Sequence, residues 1–211
     1  MDPRKNKNIR KGGWGGYLSL LKKYGRRMNT KSSTGIALLA LTGLLAFQSV
    51  PNRLASSRIF GSQPSGTVYI IIDKSAYELQ VYDNEGWYAT YPVVFGSKSS
   101  GDKMMAGDRK TPEGIFKIIS KKPHSKWHKM LLLDYPTKES WDKFNKRKVQ
   151  GLIPGSASIG GGIAIHGTWP NDNIVVDDYT NWTQGCISMR NEDLDEICEY
   201  VQPGTKVIIR K

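Results

Sequence analysis

The chain is poor in cysteine and histidine, with two of the first and three of the second among 211 residues. So few cysteines exclude a small scaffold held by disulfides and a zinc module built on cysteine ligands. With three histidines, a metal site would also need carboxylate ligands. Hydrophobic residues make up 38% of the chain, which excludes a wholly disordered, a collagen-like and a polytopic membrane protein.

Acidic residues are also in deficit, 19 against 31 Lys and Arg, and the excess positive charge is concentrated at one end. Residues 1–34 contain ten basic side chains and one acid, whereas residues 66–211 contain 19 basic and 18 acidic ones. The part of the chain expected to fold is therefore nearly neutral. For this reason the net charge of +12 does not predict a nucleic-acid partner.

One segment without charge, Thr34 to Val50, follows the basic stretch and is seventeen residues long. A helix of this length spans about 25 Å, close to the thickness of a bilayer core. Positive charge on its N-terminal side alone predicts a cytoplasmic N-terminus and export of the rest of the chain. We predict a basic tail at residues 1–34 and a single membrane anchor at residues 35–50. A cleaved signal segment or a buried core helix would show the same apolar pattern.

Beyond a serine-rich linker predicted at residues 51–65, the pattern is typical of β-strands. Apolar residues alternate with polar ones in TVYIIID, which starts at Thr67, and in ELQVY, which starts at Glu78. Further strands are predicted at residues 87–95, 115–119, 163–165 and 205–209, and helices after Thr137 and after an N-cap at Asn191. The sequence therefore predicts one mostly-β domain at residues 66–211, a sandwich or barrel with a few helices.

The two cysteines have different surroundings. Cys198 lies on the apolar face of the last predicted helix, as expected of a buried thiol. Cys186 lies in a loop-like stretch, Thr-Gln-Gly-Cys-Ile-Ser, shortly before that helix, where backbone N–H groups and a helix N-terminus favour a thiolate and an oxyanion. A disulfide between the two cysteines is the alternative in an exported domain.

The three histidines also differ. His166 ends an apolar strand beside Gly167, a position that projects an imidazole into a site. His124 and His128 stand four residues apart, a spacing that two zinc ligands on a helix use. Because no third ligand stands near them, we interpret this segment as a solvated loop and predict neither a metal nor a cofactor.

The order of these residues resembles the L,D-transpeptidase (YkuD-type) catalytic domain, in particular its divergent murein-peptide branch. In that order His-Gly is followed by Thr-x-Gly-Cys-Ile, with sixteen residues between His166 and Thr183. Three other blocks stand in the order of that family: GDKMMAGDRK at 101–110, TPEGIF at 111–116 and GTKVIIRK at 204–211.

The resemblance implies an enzyme that acts on peptidoglycan stem peptides. Cys186 would attack the carbonyl before the terminal D-Ala and form a thioester, and an amine of a second stem would resolve it to a cross-link. His166 would be the general base, with its tautomer held by the carbonyl of Gly167. The backbone N–H groups of Gly185 and Cys186 would form the oxyanion hole, and no cofactor would be required.

Two positions depart from the common pattern of that family. Gln184 stands where the family has histidine, and Ser188 stands where it has arginine. We predict that Arg190, two positions further on, supplies the guanidinium for a substrate carboxylate. Thr183, Gln184 and Ser188 are the other residues predicted to contact substrate.

Two alternatives stay open. Water in place of the amine would make the protein an L,D-carboxypeptidase or an amidase that hydrolyses stem peptides or a protein–peptidoglycan link. A non-catalytic, membrane-tethered cell-wall-binding domain is the alternative from another class. The predicted partners are stem peptides and, through residues 35–50, the membrane. The predicted location is the inner membrane, single-pass, with the domain in the periplasm or extracytoplasmic space; secretion after signal cleavage is the alternative.

Overall fold

A computed structural model of the chain describes residues 57–58, 63–170 and 172–211. Nine strands and three helices form within these residues. The strands are β1 (Ser57–Arg58), β2 (Tyr69–Asp73), β3 (Glu78–Asp83), β4 (Gly86–Val94), β5 (Gly114–Pro123), β6 (Lys129–Leu133), β7 (Ala164–His166), β8 (Ile187–Met189) and β9 (Lys206–Arg210). The helices are α1 (Lys138–Val149), α2 (Ile174–Asp177) and α3 (Asn191–Tyr200).

The alternation in the sequence becomes alternation of burial in the strands. β2 buries Ile70 and Ile72, and β3 buries Leu79 and Val81, whereas the residues between them stay partly exposed. Side chains two residues apart lie on one face of a strand, so these four close one wall of the core. The prediction of a mostly-β fold with a few helices is confirmed for the described residues.

The sheet closes on itself. Its strand order is β1-β4-β3-β2-β9-β5-β6-β7-β8, and β8 pairs again with β4. β8 thus lies between β7, with which it runs parallel, and the end of β4, with which it runs antiparallel. The result is a barrel-like ring in which the short strand β8 is the closing member.

The predicted helix after Thr137 is α1, and its start has a local cause. The Thr137 side chain accepts a hydrogen bond from the backbone N–H of Ser140, which caps the first turn. Phe144 is buried against the core, whereas Trp141 packs edge-on against it and stays 45% exposed.

The last helix, α3, buries the face predicted from its spacing. Leu194, Ile197 and Cys198 are all buried, and Cys198 is a free thiol, as is Cys186. The predicted N-cap at Asn191 is wrong, because Asn191 is the first helical residue and Arg190 precedes it as the cap. The Asn191 side chain instead accepts a hydrogen bond from the backbone N–H of Thr168, which ties α3 to the end of β7.

The predicted tail and anchor lie outside the described residues, as does most of the linker. Among the residues that are described, no helix is both long and apolar enough to cross a membrane. The proposed division of the chain at residues 34, 50 and 65 stays a prediction.

Candidate active site

Cys186 lies immediately before β8, at the seam where the sheet closes. The parallel register pairs Ile165 with Ile187 and His166 with Ser188. Continued by one residue toward the N-terminus, the same register sets Ala164 opposite Cys186. Residues opposite one another in a parallel pair point to the same face, and so do residues two apart. Cys186 and His166 therefore lie at diagonal positions on one face of adjacent strands.

His166 is buried, with 2% of its surface exposed, and its ring is fixed by the main chain. Its Nδ1 donates to the carbonyl oxygen of Gly167 at 2.7 Å. A neutral imidazole carries one hydrogen, so this bond assigns that hydrogen to Nδ1 and leaves Nε2 as an acceptor. An acceptor Nε2 is the form that a general base requires.

The Gly167 carbonyl has a second partner. The buried hydroxyl of Ser188 donates to the same oxygen at 3.4 Å. Gly167 itself lies tightly against α3, since a Cβ there would stand 2.1 Å from Asn191 Oδ1. The carbonyl that orients His166 is thus held from β8 and from α3, two elements well separated from it in sequence.

Burial keeps both reacting groups neutral near pH 7. It lowers the pKa of His166 from its usual 6.5 to about 4, against the opposing effect of the Gly167 carbonyl. Burial also raises the pKa of the Cys186 thiol, against smaller opposing effects from the Ala164 N–H and the charge of Lys103. The sequence argument expected the thiolate to be favoured at Cys186. The structure corrects this expectation, because the loss of hydration outweighs the nearby dipoles and charge.

The thiol of Cys186 is half-buried, and its hydrogen bond goes to the carbonyl of Gly162 at 3.5 Å. Contacts between a nucleophile and its base are often long before substrate binds and tighten in the complex. In this structure the thiol bonds to the main chain, and its proton transfer to His166 stays a prediction.

Thr183 organises the turn that carries Cys186, the predicted nucleophile. Its hydroxyl donates to the carbonyl of Cys186 at 2.7 Å and accepts from the backbone N–H of Gly185 at 3.1 Å. The Gly185 N–H, predicted to serve the oxyanion hole, is therefore engaged with Thr183 in this structure. Its use by substrate would require that bond to be exchanged, and the oxyanion role of Gly185 and Cys186 stays a prediction.

Gly185 is required at its position for two reasons. Its φ is +134°, in a region that side chains rarely adopt, and a Cβ there would stand 2.7 Å from the carbonyl oxygen of Lys110. The residue before Cys186 thus packs directly against the backbone of the polar loop at 96–110.

The other predicted substrate contacts occupy different environments. Gln184 is exposed, whereas Thr183 and Ser188 are buried and bond to the main chain of the site, which gives them a positioning role in this structure. Arg190 is paired with Asp177, and its Nε and Nη2 both lie 2.8 Å from the same carboxylate oxygen. The predicted contacts of these residues with substrate stay predictions, and that of Arg190 would require the pair to open.

An aromatic cluster around His166 was not predicted from the sequence. Trp127 stacks on the imidazole with ring centroids 4.7 Å apart, and Trp182 meets it edge-on at 5.6 Å. Trp169 packs on Trp182 at 4.4 Å and is 41% exposed. The three tryptophans come from three separate connections, so their meeting depends on the closed sheet. The only indication of this cluster in the sequence is the number of tryptophans in a chain of this size.

His124 and His128 do not converge. Nδ1 of His124 accepts hydrogen bonds from two backbone N–H groups of its own loop, and its ring stacks on Trp127. His128 Nε2 instead contacts Asp195 on α3 at 2.6 Å. The segment is a loop, as interpreted from the sequence. It packs next to His166, because His124 stacks on Trp127 and Trp127 stacks on His166.

A family profile and a relative of known sequence indicate the same family for this chain. The sequence profile of the YkuD family, described as the L,D-transpeptidase catalytic domain, matches residues 67–209. A Bacillus subtilis (strain 168) protein named provisionally as the L,D-transpeptidase YqjB is 27% identical over 148 residues, which is 68% of this chain and 72% of that protein.

A similar fold occurs in a solved structure. The helical cell shape determining protein Pgp2 from Campylobacter jejuni is 24% identical, with a TM-score of 0.50 over 81% of this chain and 55% of Pgp2. An L,D-transpeptidase from Enterococcus faecium is 15% identical, with a TM-score of 0.45 over 70% of this chain and 50% of that one. The chain spans about half the length of these two structures. With the profile match over most of its described residues, the chain belongs to the YkuD family and carries the L,D-transpeptidase catalytic domain.

Proposed function

We propose that this protein is a cysteine acyltransferase that cross-links peptidoglycan stem peptides. The observation that carries the proposal is the bond from His166 Nδ1 to the Gly167 carbonyl, which leaves Nε2 free on the face that also holds Cys186. Membership of the L,D-transpeptidase family supports peptidoglycan as the substrate.

In the first half-reaction the Cys186 sulfur bonds to the stem carbonyl that precedes the terminal D-Ala, and the thiol proton passes to His166 Nε2. The carbonyl oxygen becomes an oxyanion in the tetrahedral intermediate. When this intermediate collapses, the C–N bond breaks and the departing D-Ala amine takes the proton from Nε2. A thioester and a neutral imidazole remain.

In the second half-reaction an amine of a neighbouring stem attacks the thioester. It gives a proton to His166 Nε2, and collapse of the intermediate breaks the C–S bond. The sulfur then recovers that proton as a thiol. One amide bond is broken and one is formed, so the exchange needs no external energy source, in keeping with a site located outside the cytoplasm.

We place the domain on the outer side of the cytoplasmic membrane, anchored through residues 35–50. The concentration of basic residues before position 35 supports this orientation by the positive-inside tendency. The peptidoglycan substrate of the family supports the same side of the membrane.

The experiment that tests the proposed reaction compares three forms of the full-length chain: wild type, Cys186→Ala and Cys198→Ala. Each is incubated with a disaccharide-tetrapeptide, and products are identified by mass spectrometry. We expect loss of D-Ala and a cross-linked dimer with wild type and Cys198→Ala, and neither with Cys186→Ala. Cys198 is the matched control because it is the second free thiol and lies buried in the core.

The products also separate the alternatives. Loss of D-Ala without a dimer, dependent on Cys186, would replace the transferase by a hydrolase. Intact substrate and no thioester adduct on a folded wild-type chain would refute catalysis and favour the cell-wall-binding alternative.

A further inference from the structure

A second polar feature adjoins the loop that leads to Cys186. We name it the basic cleft: a cavity of about 600 Å³ bounded by Lys74, Lys98, Ser99, Lys110, Asn181 and Lys211. None of the described residues that line it is acidic. The described domain is almost neutral as a whole, so this local concentration of ammonium groups is a specific feature of its surface.

The lysines of the basic cleft are not equivalent. Lys74 is buried and satisfied, because its Nζ lies 2.8 Å from Glu113 and 2.6 Å from the carbonyl of Gly101. Lys98 and Lys110 have no carboxylate of the described residues within ion-pair distance. Lys98 is exposed and Lys110 half-buried, with the Lys110 Nζ held near Gly101. These two side chains leave their charge available to a bound anion.

The basic cleft is built onto the loop of the nucleophile. The backbone N–H of Ser97 donates to the carbonyl of Thr183 at 2.9 Å, and Gly96 pairs with Thr183 in a short parallel bridge. The backbone of Lys110 packs against Gly185, the residue before Cys186. A group bound at Lys98 and Lys110 would therefore lie against the loop that leads to Cys186.

Sheet order fixes the side from which each part of a substrate arrives. β8 has β7 and His166 on one edge and the end of β4 with the basic cleft on the other. The leaving amine and the incoming amine must both exchange a proton with His166 Nε2, so both occupy the β7 side. The acyl part of the donor stem, which stays bound to sulfur throughout, then extends toward the β4 side.

We propose that the basic cleft binds the carboxylates of the acyl-donor stem through Lys98 and Lys110. This inference rests on the proposed function and adds a substrate subsite to it. A stem peptide with an α-carboxyl on D-Glu and a second carboxyl on diaminopimelate carries anionic groups on the acyl side of the cleaved bond. Charge-assisted hydrogen bonds from two ammonium groups would fix the register of the stem over Cys186.

Binding is measured by titration calorimetry with full-length Cys186→Ala, which cannot turn over. One ligand is the tetrapeptide L-Ala-γ-D-Glu-diaminopimelate-D-Ala, and the other has the D-Glu and diaminopimelate side carboxyls amidated. We expect the double substitution Lys98→Gln/Lys110→Gln to lower the affinity for the free-acid ligand about tenfold. The affinity for the amidated ligand should not change. The control Lys206→Gln removes an exposed lysine at the opposite end of β9 from Lys211 and should change neither affinity.

Salt dependence provides a readout that a purely structural role would not produce. Affinity for the free-acid ligand should fall with added salt in the Cys186→Ala background, and less steeply once Lys98 and Lys110 are replaced. An equal loss of affinity for both ligands in the double variant would overturn the proposal. So would unchanged peptide affinity combined with weaker retention on isolated cell walls, which would assign the lysines to another anionic wall polymer.

The cleft and the reaction can fail independently. If wild type leaves the tetrapeptide intact while the Cys186→Ala chain binds it in a lysine-dependent manner, the reaction is refuted and the subsite stands. If wild type forms the dimer and the Lys98→Gln/Lys110→Gln variant has the same KM for the donor, the subsite is refuted and the reaction stands.

Discussion

His166 loses nearly all contact with water when the chain folds, and its pKa falls to about 4. Tryptophan rings cover two sides of the imidazole, and among the described residues its one polar contact is the Gly167 carbonyl. The carbonyl orients the ring but does not restore the hydration that a cation needs. A base that stays neutral well below pH 6 is the consequence.

The rate should therefore depend on pH in an unusual range. We expect kcat/KM to fall on acidification with an apparent pKa near 4, because only neutral His166 accepts the thiol proton. The measurement is a pH profile from pH 3.5 to 8, with near-ultraviolet circular dichroism to confirm that the chain stays folded. An acid limb centred at 6.5 would show that the ring is hydrated in solution.

The same shift predicts how stability depends on pH. The folded-state pKa of His166 is lowered from 6.5 to about 4, so between these values the unfolded chain binds the proton that the folded chain excludes. The free energy of unfolding should thus decrease by about 3 kcal/mol from this residue as pH falls from 6.5 to 4. Urea unfolding of wild type and His166→Gln at pH 7 and pH 4.5 checks this, because the variant lacks the titrating group. A parallel decrease in both proteins would contradict the prediction.

At the scale of elements, ion pairs help to hold the polar loop between β4 and β5, in addition to the packing of Met104 and Met105 against the core. Lys103 and Asp108 form one at 2.7 Å, and Asp102 forms another with Arg147 on α1 at 2.6 Å. Burial opposes ionisation of Asp108, but hydrogen bonds from Lys103 and from backbone N–H groups outweigh it and keep the pKa of Asp108 low. The loop that packs against Gly185 thus depends on one carboxylate.

Replacement of that carboxylate should be costly. Asp108→Asn leaves the buried Lys103 without its counter-charge, and we expect the free energy of unfolding to drop by about 3 kcal/mol. The matched control is Asp142→Asn on α1, which removes an exposed pair with Lys138 and should cost less than about 0.5 kcal/mol. Urea unfolding at pH 7 compares the two. Equal losses in the two variants would mean that burial of the Lys103 pair is not the deciding factor.

The long strands and two of the three helices could be predicted from the sequence because their causes are local. Alternation in β2 and β3, and the cap at Thr137, are set by neighbouring residues. β6 and β8 were missed because short strands that are buried by distant partners show no alternation of their own. The engagement of Arg190 by Asp177, thirteen residues away, is equally non-local.

The candidate site divides in the same manner. The roles of Cys186, His166 and Gly167 are predictions from the resemblance of their order to the family, and the structure places Cys186 and His166 on one face of adjacent strands. The three tryptophans around the imidazole and the basic cleft are assembled from separate connections. No spacing rule links such residues, so a closed sheet was needed to find them.

At the scale of the whole molecule, charge is divided between two tasks. The basic residues before position 35 are proposed to set the topology, and Lys98 and Lys110 of the folded part to hold substrate. The net charge of +12 therefore reflects the basic residues before position 35 and gives no indication of the lysines proposed to bind substrate.

Topology can be tested in cells. We expect the full-length chain to sediment with membranes and to become accessible to added protease in spheroplasts that retain an intact cytoplasmic membrane. The matched variant replaces the ten basic residues of positions 1–34 by glutamine, which should reduce export without a change in the folded domain. Protection of the domain from protease in spheroplasts of the wild type would refute the proposed orientation.

The closure of the ring through β8 also affects how the protein fails. An open sheet exposes edges that recruit strands from other chains, whereas here β4 and β7 occupy both sides of β8. If either pairing breaks, the freed edge becomes prone to aggregation and Cys186 separates from His166 or from its loop in the same event. Under the proposed mechanism the aggregation-prone form is also inactive, so enzymatic activity would report on the fraction of closed molecules.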